Sequence, residues 1–176
     1  DDDERFERQM IKDYVLISSN TCLRVGEARQ LTWGDINGFE THNYDNGRQV
    51  QLISFTVRAE TSKVRTARKM IARGAEYFIR LKKRTKYTEP NHLLFSLNGV
   101  VPLDARKWQK HWVNLMSDIG IHNHKERKLT WYSLRHFGIT MRVMAGVNLI
   151  NLSKLAGTSV AHIENTYLKY SEAQSR

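Results

Sequence analysis

The chain has 176 residues, 40% of them hydrophobic and 26% charged, with a net charge of +10 and a pI near 9.9. That length suits one domain, able to bury roughly 70% of its unfolded surface without help from a metal or a disulfide. A single cysteine, Cys22, excludes a disulfide scaffold, and no run approaches the ~20 apolar residues of a membrane span. No secretory signal opens the chain, so a cytoplasmic protein with a small buried thiol is expected. The acidic start Asp1-Asp2-Asp3-Glu4 reads as a cut point that leaves an upstream domain to be expected. The positive excess favours a polyanion, because neutralising phosphates releases counterions. Basic residues recur from Arg58 to Lys86 and from Arg106 to Lys128, which predicts a broad basic face rather than a tail.

Phe6, Met10, Tyr14 and Ile17 recur at helical spacing and predict an amphipathic first helix, broken at Asn20-Thr21. Arg24 to Leu31 reads as a short second helix, in which Arg24 needs either a carboxylate such as Glu27 or an anion. Trp33 to Phe39 reads as a short strand and Thr41 to Arg48, with Asn46-Gly47, as a hairpin loop. Val50 to Val57 predicts a second strand and Thr66 to Ile71 a third, separated by a tight turn with Lys63 at its tip. Glu76 to Lys86 predicts a basic amphipathic helix that stops before Pro90, and Leu93 to Phe95 a short buried piece. Asp104 is placed to cap a helix running to about Ile119, with Trp108, Trp112, Leu115, Met116 and Ile119 as its inner stripe. The whole is mainly α with a small antiparallel sheet, an α+β domain. His122-Asn-His124 lacks a cysteine or carboxylate at ligand spacing, so no metal site is expected.

The run from Leu129 to Tyr170 carries the chemistry. Tyr132, Arg135 and His136 fall within about one turn of a predicted helix, and Tyr167 follows a Gly-Thr-Ser break. An arginine and a histidine at one helix start, with a tyrosine on a late helix, suit an anionic substrate meeting a phenol nucleophile. Thr158 and Ser159 both suit the cap of the last helix.

Thr21-Cys-Leu-Arg24-Val-Gly-Glu-Ala-Arg-Gln-Leu-Thr-Trp-Gly-Asp-Ile36 resembles the first arginine box of the tyrosine recombinase (phage integrase) family. Tyr132-Ser-Leu-Arg135-His136 resembles its second box, written His-x-Leu-Arg-His. Leu155-Ala-Gly157-Thr158-Ser159, with Tyr167 ten residues after the glycine, resembles its Leu-Gly-His-Ser-Ser segment and nucleophile. Thr61-Ser-Lys63 falls where the family keeps a lysine on a β-hairpin. The resemblance spans the chain as a catalytic domain, without the family's N-terminal core-binding domain. Two positions depart from the pattern: Tyr132 replaces the first histidine of the second box, and Thr158 replaces a histidine or tryptophan.

The resemblance implies a site-specific recombinase or integrase acting on double-stranded DNA through a 3′-phosphotyrosyl intermediate. It implies that Arg24 and Arg135 hold the scissile phosphate, Lys63 protonates the leaving 5′ oxygen and Tyr167 attacks. His136 and Tyr132 would contact the phosphate or assist proton transfer, with Tyr132 positioning and Thr158 a weaker supporting donor. Tyr170 is the alternative nucleophile, one turn off register. A phenol of pKa about 10 is only about a thousandth ionised at neutral pH, so it needs this help. Two guanidinium forks can stabilise the extra charge of a pentacoordinate phosphorus without metal or other cofactor. Such enzymes join sites as homotetramers, and an isolated catalytic domain is expected to be monomeric. A type IB topoisomerase would use the same chemistry without synapsis. A non-catalytic regulator would instead use Met141 to Ser159 as a helix-turn-helix.

Overall fold

The computed structural model describes residues 2–168. Helix α1 (Asp2–Thr21) opens with three acidic residues on the positive end of its dipole. It buries Met10, Tyr14 and Ile17 on the predicted face. The Tyr14 ring stands edge-on to Phe95, Trp108 and Trp131 at centroid distances of 5.0, 4.5 and 5.4 Å. After the turn at Cys22 comes the short α2 (Val25–Arg29).

Trp33–Asp35 is a 3-10 turn, not the strand expected there. Asp35 explains the difference. Its carboxylate accepts from the Thr32 backbone N–H at 2.9 Å and the Thr32 hydroxyl at 3.0 Å, so local side-chain bonding displaces an extended backbone. The first strand, β1 (Ile36–Asn43), therefore starts later and runs on through Thr41–Asn43, which reads as loop in the sequence. It pairs with β2 (Gln49–Val57) around the expected Asn46-Gly47 turn, and β2 pairs with β3 (Arg68–Ala72). All pairings are antiparallel, in the order β1-β2-β3.

Helix α3 (Ala75–Arg84) packs its Phe78 and Leu81 beneath the sheet. Its Arg80 and Arg84 reach the fully buried Asp13 of α1. In α4 (Ala105–Asp118), Asp104 caps the first turn by accepting from the Arg106 N–H at 2.9 Å. Trp108, Trp112 and Met116 face inward as expected, whereas Ile119 is 56% exposed. The helix ends at Asp118, so Ile119 leaves the stripe and its periodicity no longer applies.

The remaining helices, α5 (Ser133–Met144), α6 (Leu149–Ala156) and α7 (Val160–Ile163), form a second apolar cluster. A π-turn (Glu164–Leu168) follows α7. Cys22, Ile139, Val143, Leu152, Ala156, Ile163 and Tyr167 pack together here. Gly138 lets α5 touch α1, because a Cβ there would lie 2.6 Å from the Ser19 carbonyl. That contact sets Arg135, on the preceding turn, against Cys22, the residue that follows α1. No described helix is long and apolar enough to cross a membrane.

Candidate active site

Three arginines from three elements converge on the C-terminal end of α6. Arg24, the residue before α2, donates from Nη2 to the Gly157 carbonyl at 2.7 Å. Arg135 of α5 donates from Nη2 to the Ala156 carbonyl at 2.7 Å, and its Nη1 donates to Cys22 O. Arg68 of β3 donates from Nε to the Leu155 carbonyl at 3.3 Å. A helix C-terminus leaves its last carbonyls unpaired and carries partial negative charge, so it attracts guanidiniums. Gly157 completes the arrangement in a left-handed conformation (φ 61°, ψ 46°), and a Cβ there would lie 2.8 Å from Arg68 Cζ.

Glu27 sits under the arginines, its side chain 1% exposed. Arg68 forks onto it, with Nη1 to Oε1 at 2.9 Å and Nη2 to Oε2 at 2.7 Å. Arg24 reaches Oε1 with Nη1 at 3.2 Å and Oε2 with its backbone N–H at 3.1 Å. Burial pushes the Glu27 carboxyl up, but the bonds and charge of Arg68, then Arg24, hold it below its ordinary value. Glu27 thus braces arginines, as expected, and Arg68 is the partner that sequence reasoning missed. A signal was present. Met70 and Ala72 are buried and Lys69 and Ile71 exposed, so the two-residue period of β3 puts Arg68 on the inner side. An inward arginine requires a carboxylate.

Burial, then the neighbouring charge of Arg24, pushes the Arg135 guanidinium down from its ordinary value. The two box arginines therefore share one neighbourhood, where their repulsion would be relieved by an anion. Cys22 adopts a positive φ of 58°, uncommon for a residue other than glycine, at the turn that offers its carbonyl to Arg135.

Beside Arg135, His136 Nδ1 lies 2.6 Å from the Tyr167 hydroxyl. The Tyr132 ring stands edge-on to His136 at 4.8 Å. Burial first, then the charges of Arg135 and His162, push His136 below its ordinary 6.5, which favours the neutral imidazole. A neutral ring has one lone pair with which to accept a proton from a phenol. Tyr167 itself is 2% exposed and Arg135 3% exposed.

Lys63 is exposed in the turn between β2 and β3, closed by the Arg65 N–H donating to the Ser62 carbonyl at 3.0 Å. With Arg24, Glu27, Thr61 and Arg65 it lines one open depression. Thr158 is half-buried, and its hydroxyl makes no hydrogen bond among the described residues. The cap of α7 is Ser159, whose Oγ accepts from the His162 N–H at 3.1 Å. Of the expected set, Arg24 and Arg135 meet at α6, Tyr132, His136 and Tyr167 form a second group beside Arg135, and Lys63 flanks Arg24. Tyr170 lies outside the described residues. Among those residues no group of three His, Cys, Asp or Glu side chains is placed to hold a metal ion.

No protein-family model matches the sequence, and no curated protein matches it. Solved structures do. The Tn1549 transposon integrase (residues 82–397), in complex with circular intermediate DNA, is 21% identical with a TM-score of 0.59, over 88% of this chain and 54% of that one. The XerH site-specific recombinase bound to palindromic difH substrate is 20% identical with a TM-score of 0.65, over 98% and 49%. The XerA recombinase is 17% identical with a TM-score of 0.54, over 100% and 64%. The chain thus spans 49–64% of the length of these proteins, and it has the fold of a tyrosine recombinase catalytic domain.

Proposed function

We propose that this chain is the catalytic domain of a tyrosine recombinase, cleaving and resealing strands of duplex DNA during site-specific recombination or integration. The observation that carries the reading is the meeting of Arg24 and Arg135 at one helix end, next to a tyrosine hydroxyl 2.6 Å from a histidine nitrogen. DNA complexes of the Tn1549 integrase and XerH, which share the fold, support a DNA substrate.

In this reading the Tyr167 oxygen attacks a backbone phosphorus while His136 Nδ1 takes the phenol proton. The tyrosyl O–P bond forms and the P–O5′ bond breaks, leaving a 3′-phosphotyrosine and a 5′ oxygen protonated by Lys63. The extra negative charge of the pentacoordinate phosphorus falls on the forks of Arg24 and Arg135. A comparable oxyanion donor is worth about 3–4 kcal/mol. Because the phosphotyrosine keeps the energy of the original diester, a 5′ hydroxyl reverses the step without ATP. Tyr132 holds the His136 ring by its edge and shuttles no proton. Thr158 is a supporting donor to the phosphate at most.

Tyr167 is buried within the π-turn Glu164–Leu168. One-turn π segments often mark functional sites in helices. The active assembly in this reading is a homotetramer on DNA, working in the cytoplasm of a bacterial or phage-infected cell. Incubation with a nicked suicide duplex carrying the candidate attachment site tests the reaction. A denaturation-resistant protein–DNA band and strand exchange between two sites are expected. No band would refute the chemistry, and relaxation without exchange would assign it to a topoisomerase.

A further inference from the structure

Arg68 has no task in the reaction above, yet it lies within the arginine cluster. Each guanidinium carries five N–H donors. Arg68 commits its Nε to Leu155 O and both Nη atoms to Glu27. Among the described residues, Arg24 and Arg135 each commit two side-chain donors, both from Nη atoms. Their Nε donors and the second hydrogen of each Nη remain for a ligand. The cluster therefore divides into one guanidinium that binds the protein through Nε and both Nη atoms, with two N–H donors left, and two that each keep three N–H donors, Nε among them.

The division depends on Glu27. A buried carboxylate takes the best fork within reach. Arg68 occupies both of its oxygens at 2.7 and 2.9 Å, so the Arg24 guanidinium meets it through one longer bond of 3.2 Å and extends its other arm to Gly157. Without Arg68, the nearest remaining cation for the buried charge is Arg24. The charge balance points the same way. Arg24, Arg68 and Arg135 against Glu27 leave two positive charges, matching a phosphodiester that gains a second negative charge as a nucleophile adds. Removing Arg68 leaves one, and draws Arg24 onto Glu27.

We propose that Arg68 is a positioning residue that neutralises Glu27 and so keeps the Arg24 guanidinium available to grip a phosphate. The substrate in this inference rests on the recombinase reading. Arg68 also stands five residues beyond Lys63, on the strand leading out of that turn, so the same anchor holds one leg of the turn against α2 and α6. Gly157 leaves the room that the guanidinium fills.

The test compares wild type, Arg68→Met, Glu27→Gln/Arg68→Met and Arg24→Ala in single-turnover cleavage of the suicide duplex at saturating protein. Arg68→Met is expected to cleave about 100-fold more slowly, the size of losing one oxyanion donor, with DNA affinity within about twofold of wild type. The double variant, with no carboxylate to capture Arg24, is expected to return to within about tenfold of wild type. A purely structural Arg68 would change the folded fraction and leave the rate of the folded enzyme alone. If Arg68→Met does not fold, the double variant carries the test, and a rate as low as that of Arg24→Ala overturns the proposal. Equal rates for wild type and folded Arg68→Met, or no recovery in the double variant, also overturn it. Thermal stabilisation by inorganic sulfate reads the same arginine pair without cleavage. It should be lost in Arg24→Ala and Arg68→Met and present in the other two. If wild type forms no DNA adduct while sulfate follows this pattern, the recombinase reading fails and the role of Arg68 stands. Sulfate stabilising Arg68→Met as much as wild type overturns that role whatever the cleavage result.

Discussion

Replacing Gly157 by alanine should damage stability and the site together. Two costs add. The left-handed backbone at φ 61° costs an L-residue about 1 kcal/mol. The new Cβ would also lie 2.8 Å from both Arg68 Cζ and Nη1 and 3.0 Å from Nε. To reach ordinary van der Waals contact the guanidinium must retreat by about 0.6 Å or more. It is pinned on one side by Glu27 and on the other by the 3.3 Å bond to Leu155 O, so the retreat breaks at least one bond to a charged group. Such a bond is worth about 1.5–3 kcal/mol. The sum is about 3 kcal/mol, or a fall in Tm of about 6–12 °C for a domain of this size. Gly146 is the control. Its φ is 73°, but a Cβ there meets nothing within 4 Å, so Gly146→Ala should cost only about 1 kcal/mol. Urea and thermal denaturation of the two variants measure the difference. Equal losses would refute the claim that Gly157 is there to admit Arg68.

Stability and cleavage should both depend on His136. Its folded pKa lies below 6.5, so its contribution to stability is complete above pH 6.5 and is lost as pH falls through the folded value. In the proposed reaction His136 Nδ1 accepts the phenol proton, which a protonated ring cannot do, so cleavage should decline over the same window, and His136→Gln should flatten the profile. An NMR titration of the ring gives the pKa, and a value above 6.5 contradicts this. Ser159→Ala should cost about 1 kcal/mol through loss of the α7 cap. Thr158→Ala, which loses no hydrogen bond among the described residues, should change stability by less than about 0.5 kcal/mol in the same urea titration. Tyr132→Phe keeps the ring edge on His136 and should cleave within about threefold of wild type. Tyr132→Ala frees the imidazole and should be at least about tenfold slower.

Local chemistry was legible in the sequence wherever one residue decides an outcome. Asp104 at a helix start, Asn46-Gly47 between two strands, and Met10, Tyr14 and Ile17 on one stripe each led to the observed element. The motif residues could be numbered because spacing within a box survives large sequence change. Interactions between distant segments were harder to read. That Leu155, Ala156 and Gly157 would offer consecutive carbonyls to guanidiniums from β3, α5 and the α2 entrance depends on how three elements dock. The Asp35 side chain turned an expected strand into a 3-10 turn through a bond three residues back, where competing local patterns have similar energies. Ile119 was misplaced because helical periodicity says nothing about where a helix stops.

The central claim is that Tyr167 is the atom donor in a covalent bond to DNA. Digesting the suicide-substrate adduct and sequencing the nucleotide-bearing peptide by mass spectrometry measures this directly. The account predicts a phosphodiester-linked nucleotide on Tyr167, an adduct lost in Tyr167→Phe and an adduct retained in Tyr170→Phe. A nucleotide on Tyr170, or equal trapping by both variants, would contradict it.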